Sequence, residues 1–191
     1  PKMMQAAGYN TAAIGKWHLG MGDGNVDWNQ PIAPSANTVG FDYTNLIAAT
    51  NDRVPTVYVK NGLVEGLDPE DPIYIDYNKN FEGEPTALTN PEMLKMRWHH
   101  GHNCSIVNGI PRIGYMKGGE KARWVDEEMA DYFVAEVENS SISSLPKNPS
   151  SSTTDCISRT SRALRTPASS ARPTWGPAVM PWSRPTGAWA R

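Results

Sequence analysis

The sequence predicts an α/β fold in which helices flank a mixed sheet, and three observations carry that prediction. A buried apolar run, Ala12-Ala13-Ile14, begins just after a glycine placed to stop a short helix. Asn61-Gly62 divides two β-rich runs, the strongest short signal for a hairpin. The stretch from Glu120 to Glu138 carries Trp124, Met129, Tyr132 or Phe133, and Val137 as a helical stripe, with acids on its other face.

Taken in order, "PKMMQAA" reads as the end of a helix, with Gly8 as its left-handed stop. "YNTAAIGKW" reads as a buried strand, and "GMGDGNVDWNQPIAPSANT" as loop by its Gly, Asn, Asp and Pro content. "GFDYTNLIAA" is a short strand or a turn entry, and "TVYVKNGLVEGL" is the hairpin. Residues 68–92 are rich in Pro, Asp, Glu and Asn and are expected to form a long surface insertion, followed by one or two helical turns over 93–99. The acids Asp126, Glu127, Glu128 and Asp131 are expected on a solvated helix face. An α/β layout then calls for a strand.

Composition bounds the function. The 191 residues carry a net charge of −2, which argues against a polyanion partner such as nucleic acid. No apolar run approaches the ~20 residues of a membrane span. An opening on Pro1 rather than Met is what a fragment or processed product shows, and no signal peptide is visible. Cys104 and Cys156 suit neither a disulfide framework nor a zinc site. The averages hide a break: 19 of the 20 acids precede Asn139, and only Asp155 follows it. Beyond that point Ser, Thr, Pro, Arg and Ala dominate, so residues 139–191 are expected to be a poorly ordered tail and residues 1–138 the folded part.

The chemistry lies in "GYNTAAIGKWHLG". A strand ending Gly-Lys-aromatic-His places Lys16 and His18 on one side of the extended chain, and Trp17 points the other way, into packing. An ammonium beside an imidazole makes a cationic pocket for a tetrahedral anion, with His18 able to move a proton. Spacing alone favours the plainer reading, a surface Lys and a half-buried His at a strand end, because Lys-x-His is a weak pattern.

The whole stretch is more specific. It resembles the second signature of the sulfatase family, Gly-Tyr-x-Thr-x-x-Ile-Gly-Lys-Trp-His-Leu-Gly, along its full length. "GFDY" follows at the family's distance, and "ATNDRVPTVYV", "WHHGHN" and "GYMKGGEKARWVDEEMAD" are similar to the middle segment of bacterial arylsulfatases. The resemblance covers roughly residues 1–138. It implies an incomplete piece of an alkaline-phosphatase-like sandwich from a periplasmic or secreted enzyme that hydrolyses sulfate esters with a formylglycine nucleophile and a calcium ion. It also implies that Lys16 contacts the substrate sulfate, and that His18 bonds the formylglycine hydroxyls and helps collapse the sulfated intermediate. The nucleophile motif Cys-x-Pro-Ser-Arg and the calcium-binding aspartates are absent from the sequence, and Cys104 is followed by Ser-Ile-Val. The expectation is therefore no metal ligands in this fragment, and an inactive isolated chain.

Other candidates are weaker. Asn51, Asp52 and Arg53 border a substrate pocket or make an ordinary Asx-stabilised turn. His99, His100 and His102 are close enough to suggest zinc or copper, but they lack a fourth ligand and fit better as a solvent-facing or substrate-side loop. The competing functions are a phosphonate or phosphate monoester hydrolase of the same fold, and a non-enzymatic binding module using the His loop.

The tail has a further reading. Taken one base out of frame, the codons from Lys147 to Ala163 allow "KPFFLYYGLHQPHVPR", the strand and loop that the family resemblance calls for. Some junctions leave no choice: Asp155-Cys156 must give Leu, Trp175-Gly176 Gly, Met180-Pro181 Ala, and Trp189-Ala190 Gly. A frameshift near Asn139 accounts for them; the alternative is a genuine Ser/Pro/Arg-rich linker. Sequencing the coding DNA should show an open adjacent frame containing Phe-Phe-Leu-Tyr-Tyr and His-Val-Pro. A stop codon in that frame would remove the frameshift.

Overall fold

The computed structural model describes residues 1–144 and 153–158. Helix α1 (Lys2–Ala6) closes as its sequence predicts: the Gly8 N–H donates to the Gln5 carbonyl and the Tyr9 N–H to the Met4 carbonyl, with Gly8 at φ +87°. Strand β1 (Asn10–Lys16) follows at once. Strand β2 (Tyr43–Ile47) lies parallel to it, with Ala12 opposite Tyr43 and Lys16 opposite Ile47. Strands β3 (Tyr58–Lys60) and β4 (Leu63–Val64) form the expected hairpin, turned by Asn61 and Gly62 at φ +49° and +80°. Strand β5 (Tyr74–Asp76) is followed by the hairpin of β6 (Ile106–Val107) and β7 (Ile110–Pro111), and then by β8 (Tyr115–Lys117), which pairs with β5. Helix α2 (Met129–Ser144) leads toward β9 (Thr153–Ser158). The main sheet has the order β4-β3-β2-β1-β9, with β9 and β2 both parallel to β1.

Strand alternation assigns the two faces of this sheet. Asn45, Ile47, Tyr58 and Lys60 face α2. Ile47 packs with Trp124 and Met129, and Tyr58 stacks on Tyr132 with ring centres 3.8 Å apart. On the other face, Ala13 and Leu46 pack with Ala36, Trp17, Met21 and Phe41 of the loops. Val54, Val57, Val59, Ile73 and Met116 make a separate core that ties β5 and β8 to the β3 hairpin.

Several expectations are corrected. Residues 68–92 are more than a surface insertion: they carry β5, and Ile73, Thr86 and Ala87 are buried. The 93–99 stretch forms no helix beyond a 3-10 turn at Pro91–Met93, because Pro91 starts a turn there and Leu94 is already extended. Asp126 lies before α2 with a side chain only 3% exposed, so the acidic run is not wholly solvated. Of the tail from residue 139 onward, the described residues are those of α2 up to Ser144 and Thr153–Ser158 in β9. The remainder of the tail, including most of the proposed out-of-frame reading, lies outside the described residues.

The acids of α2 are not all outward either. Glu136 is buried and accepts hydrogen bonds from the Tyr43 hydroxyl and Asn45 Nδ2 (2.9 Å), and it pairs with Lys60 (3.1 Å). Burial opposes its ionisation, but bonds from Tyr43, Asn45 and Lys60 outweigh burial and hold the carboxyl below its usual range. Its folded pKa therefore lies below the unfolded one, so it stabilises the fold above the ordinary carboxylate pKa. That contribution is lost as pH falls through the folded value. Glu136→Ala should cost about 2 kcal/mol near neutral pH, because the Tyr43 hydroxyl and Asn45 lose a charged acceptor in a buried setting and Lys60 is left with Glu65 (3.5 Å). The cost should shrink on acidification. Urea titrations of both chains at several pH values check this; a cost that does not change with pH would exclude an ionised Glu136.

Candidate active site

The carboxyl ends of β1 and β2 point the same way, and the segments that leave them meet there, the usual place for a site in a parallel sheet. Strand β1 stops at Lys16. The Trp17 N–H donates to the Ile47 carbonyl (3.0 Å) and the His18 N–H to the Ala48 carbonyl (3.1 Å), which fastens the chain beyond β1 to the chain beyond β2. Lys16 is half-buried, and among the described residues no carboxylate pairs with it.

His18 corrects the alternation argument. It takes the left-handed conformation, φ +57°, and is exposed, so the strand phase that would have set it beside Lys16 ends one residue too early. Trp17 behaves as read. It packs with the Ala13–Ala36–Leu46 cluster, meets Phe41 edge-on at 6.2 Å, and donates Nε1–H to the Gly20 carbonyl (2.7 Å).

The turn after β2 carries Asn51, Asp52 and Arg53. The Thr50 hydroxyl donates to Asp52, and the Ile113 N–H donates to the Asp52 carbonyl (2.8 Å). The Arg53 N–H donates to the Thr50 carbonyl (3.1 Å), so the segment is a backbone-closed turn with a side-chain bond from Thr50 to Asp52. Asp52 Oδ2 lies 2.8 Å from His102 Nε2, bringing the His loop onto this turn. Burial opposes ionisation of Asp52, yet its bonds to Thr50 and His102 hold the carboxyl below its usual range. The Asp52 carboxylate in turn raises the His102 pKa against partial burial, helped by the His100 and His99 carbonyls. His99 and His100 are exposed, with ring centres 4.8 Å apart.

Sequence reasoning missed what holds the turn from beneath. Arg112 is 1% exposed. Its Nη1–H donates to the Asn51 carbonyl and to Asp126 Oδ1 (3.0 Å), and its Nη2–H to the Val107 carbonyl (3.0 Å) and to Asp126 Oδ2. The available signal was Asn108-Gly109, a hairpin dipeptide that turns β6 into β7 and sets Arg112 directly after β7.

The calcium and nucleophile implied by the sequence resemblance do not fit these residues. Among the described residues no three His, Cys, Asp or Glu side chains converge where a metal ion could sit. Cys104 is a free, partly buried thiol followed by Ser105-Ile106-Val107.

Comparison with known proteins finds no matching family model. The chain is 52% identical over 130 residues to the N-acetylgalactosamine-6-O-sulfatase of Bacteroides thetaiotaomicron, an alignment covering 68% of this chain and 25% of that protein. It thus spans about a quarter of the length of this curated relative. A solved chain labelled a 6S-sulf, from work on the metabolism of multiple glycosaminoglycans by the same bacterium, superposes with a TM-score of 0.74 at 45% identity. That match covers 81% of this chain and 32% of the solved one.

The Arg112–Asp126 pair makes a direct prediction. Asp126→Ala leaves a guanidinium buried without its counter-ion and should cost about 3–5 kcal/mol. The double replacement Arg112→Met with Asp126→Leu should cost much less. Chemical denaturation of both variants checks this, and equal losses would mean that packing volume, not charge pairing, governs the site.

Proposed function

The chain belongs to the sulfatase family, and from that premise we propose that it is the segment of a sulfuric ester hydrolase carrying the sulfate-binding Lys16 and the proton-handling His18. The substrate class proposed is a 6-O-sulfated amino sugar of the N-acetylgalactosamine type. The observation that carries the reading is the 52% identity over 130 residues to a sulfatase. The geometry supports it: Lys16 ends a buried strand, and among the described residues no carboxylate pairs with it, which suits a cation that meets an anion.

The chemistry asked of these residues is modest and specific. Breaking the ester places negative charge on the sulfuryl oxygens and on the leaving oxygen. Lys16 Nζ stabilises the first as a preorganised point charge. His18 stands on the adjoining exposed turn, where its imidazole can donate or accept one proton. Asn51, Asp52 and Arg53, with the exposed rings of His99 and His100, border the sugar side. A formylglycine nucleophile and a calcium ion complete this chemistry in the family, and both are proposed to come from residues of a longer protein. The isolated chain is accordingly proposed to be inactive.

The test is made in a complete enzyme that contains this segment. Lys16→Ala should lower kcat/KM for sulfate release from 6-O-sulfated N-acetylgalactosamine about a hundredfold, the loss of ~3 kcal/mol of transition-state stabilisation. His18→Ala should fall by a similar factor, and Trp17→Phe should lower the melting temperature more than turnover, because Trp17 is packed. Near-normal turnover in Lys16→Ala and His18→Ala would overturn the assignment.

A further inference from the structure

His102 faces acceptors on both sides of its ring. Nδ1 lies 2.8 Å from the His99 carbonyl and 2.7 Å from the His100 carbonyl, and Nε2 lies 2.8 Å from the Asp52 carboxylate. Carbonyl and carboxylate oxygens accept, so using all of these contacts as hydrogen bonds takes a proton on each nitrogen, which is the imidazolium form. With both N–H groups spent on the protein, neither is left for a sugar.

We infer that His102 is a positioning residue rather than a substrate ligand: its imidazolium clamps the His99–His102 loop to Asp52 and so orients the Asn51–Arg53 turn toward substrate. The inference rests on the sulfatase reading only for what the turn is oriented toward; the clamp itself is a property of this chain.

The surroundings leave Asp52 as its counter-ion. The charged and titratable groups nearby are Asp52 and Arg53 on the turn, His99 and His100 on its own loop, and Arg112 with Asp126 beneath Asn51. Among the described residues, only Asp52 lies within ion-pair distance of the ring. Thr50 occupies the other Asp52 oxygen, so the carboxylate is fixed in orientation before His102 reaches it. The raised His102 pKa agrees with this arrangement. By linkage, the clamp is complete below the ordinary His pKa and is lost as pH rises through the higher folded value. Loss of the proton from Nε2 would set a lone pair against the carboxylate and open the contact.

Two arms test it. In the 191-residue chain, nitrogen NMR of the His102 ring should show both nitrogens protonated near neutral pH, and Asp52→Asn should lower the ring's titration point. A neutral His102 ring at that pH would overturn the clamp. In the complete enzyme, KM should rise about tenfold across the alkaline titration of His102, while kcat changes little. His102→Gln, which cannot form the ion pair, should hold KM at the high plateau at all pH. His102→Arg, which stays charged, should keep KM low into the alkaline range. A His102→Gln enzyme with the wild-type KM profile would overturn the positioning role. If the complete enzyme releases no sulfate, the functional reading fails, while the NMR arm still decides the clamp.

Discussion

Arg112 is the constraint on which the candidate site depends. A guanidinium that is almost wholly buried is costly to desolvate, and only complete, well-aligned bonding offsets that cost. Asp126 meets it with both carboxylate oxygens, and the Asn51 and Val107 carbonyls take further N–H groups. Three separate segments are thereby fixed to one group: the turn after β2, the β6–β7 hairpin, and the approach to α2. Trp124 and Met129 flank Asp126 in sequence and pack with Ile47, so the same anchor helps set how α2 enters the sheet.

The face of the sheet under α2 is held by a second kind of polar contact. Tyr132 joins Glu65 and Asn45, while Glu136 joins Tyr43, Asn45 and Lys60. These bonds are directional, so they fix the rotation of the helix in a way that the aromatic stack of Tyr58 on Tyr132 alone would not. Ile47 and Lys16 sit opposite each other at the end of β1, which connects this packing to the position of the candidate cation.

Much of this was legible because local rules decide it. The Gly8 stop, the β1 run and the Asn61-Gly62 hairpin follow from residue conformational preference and short periods, and each is where the sequence puts it. Asn108-Gly109 carries the same hairpin signal and turns β6 into β7. The inward acids were less accessible. Whether Asp126 or Glu136 meets solvent depends on a guanidinium 14 residues away in one case and on β2 and β3 in the other, and charge patterning along one helix contains neither. Lys16 and Trp17 could be phased from strand alternation, whereas His18 could not, because a left-handed residue ends the alternation that the argument needs.

The turn carrying Asn51, Asp52 and Arg53 is therefore held from two sides by cations of different character. Arg112 grips the Asn51 carbonyl from within the core through a guanidinium paired with Asp126. His102 grips the Asp52 carboxylate from the half-exposed side and can lose its charge within the working range of an enzyme. The permanent charge belongs where desolvation would make a missing counter-ion intolerable. The titratable one belongs where water can accept its proton and where release of the contact leaves no buried charge behind. Backbone placement of the turn thus rests on the arginine, and the fine orientation of its side chains on the histidine. A rise in pH can then act on the rim of the site without loosening the fold beneath it.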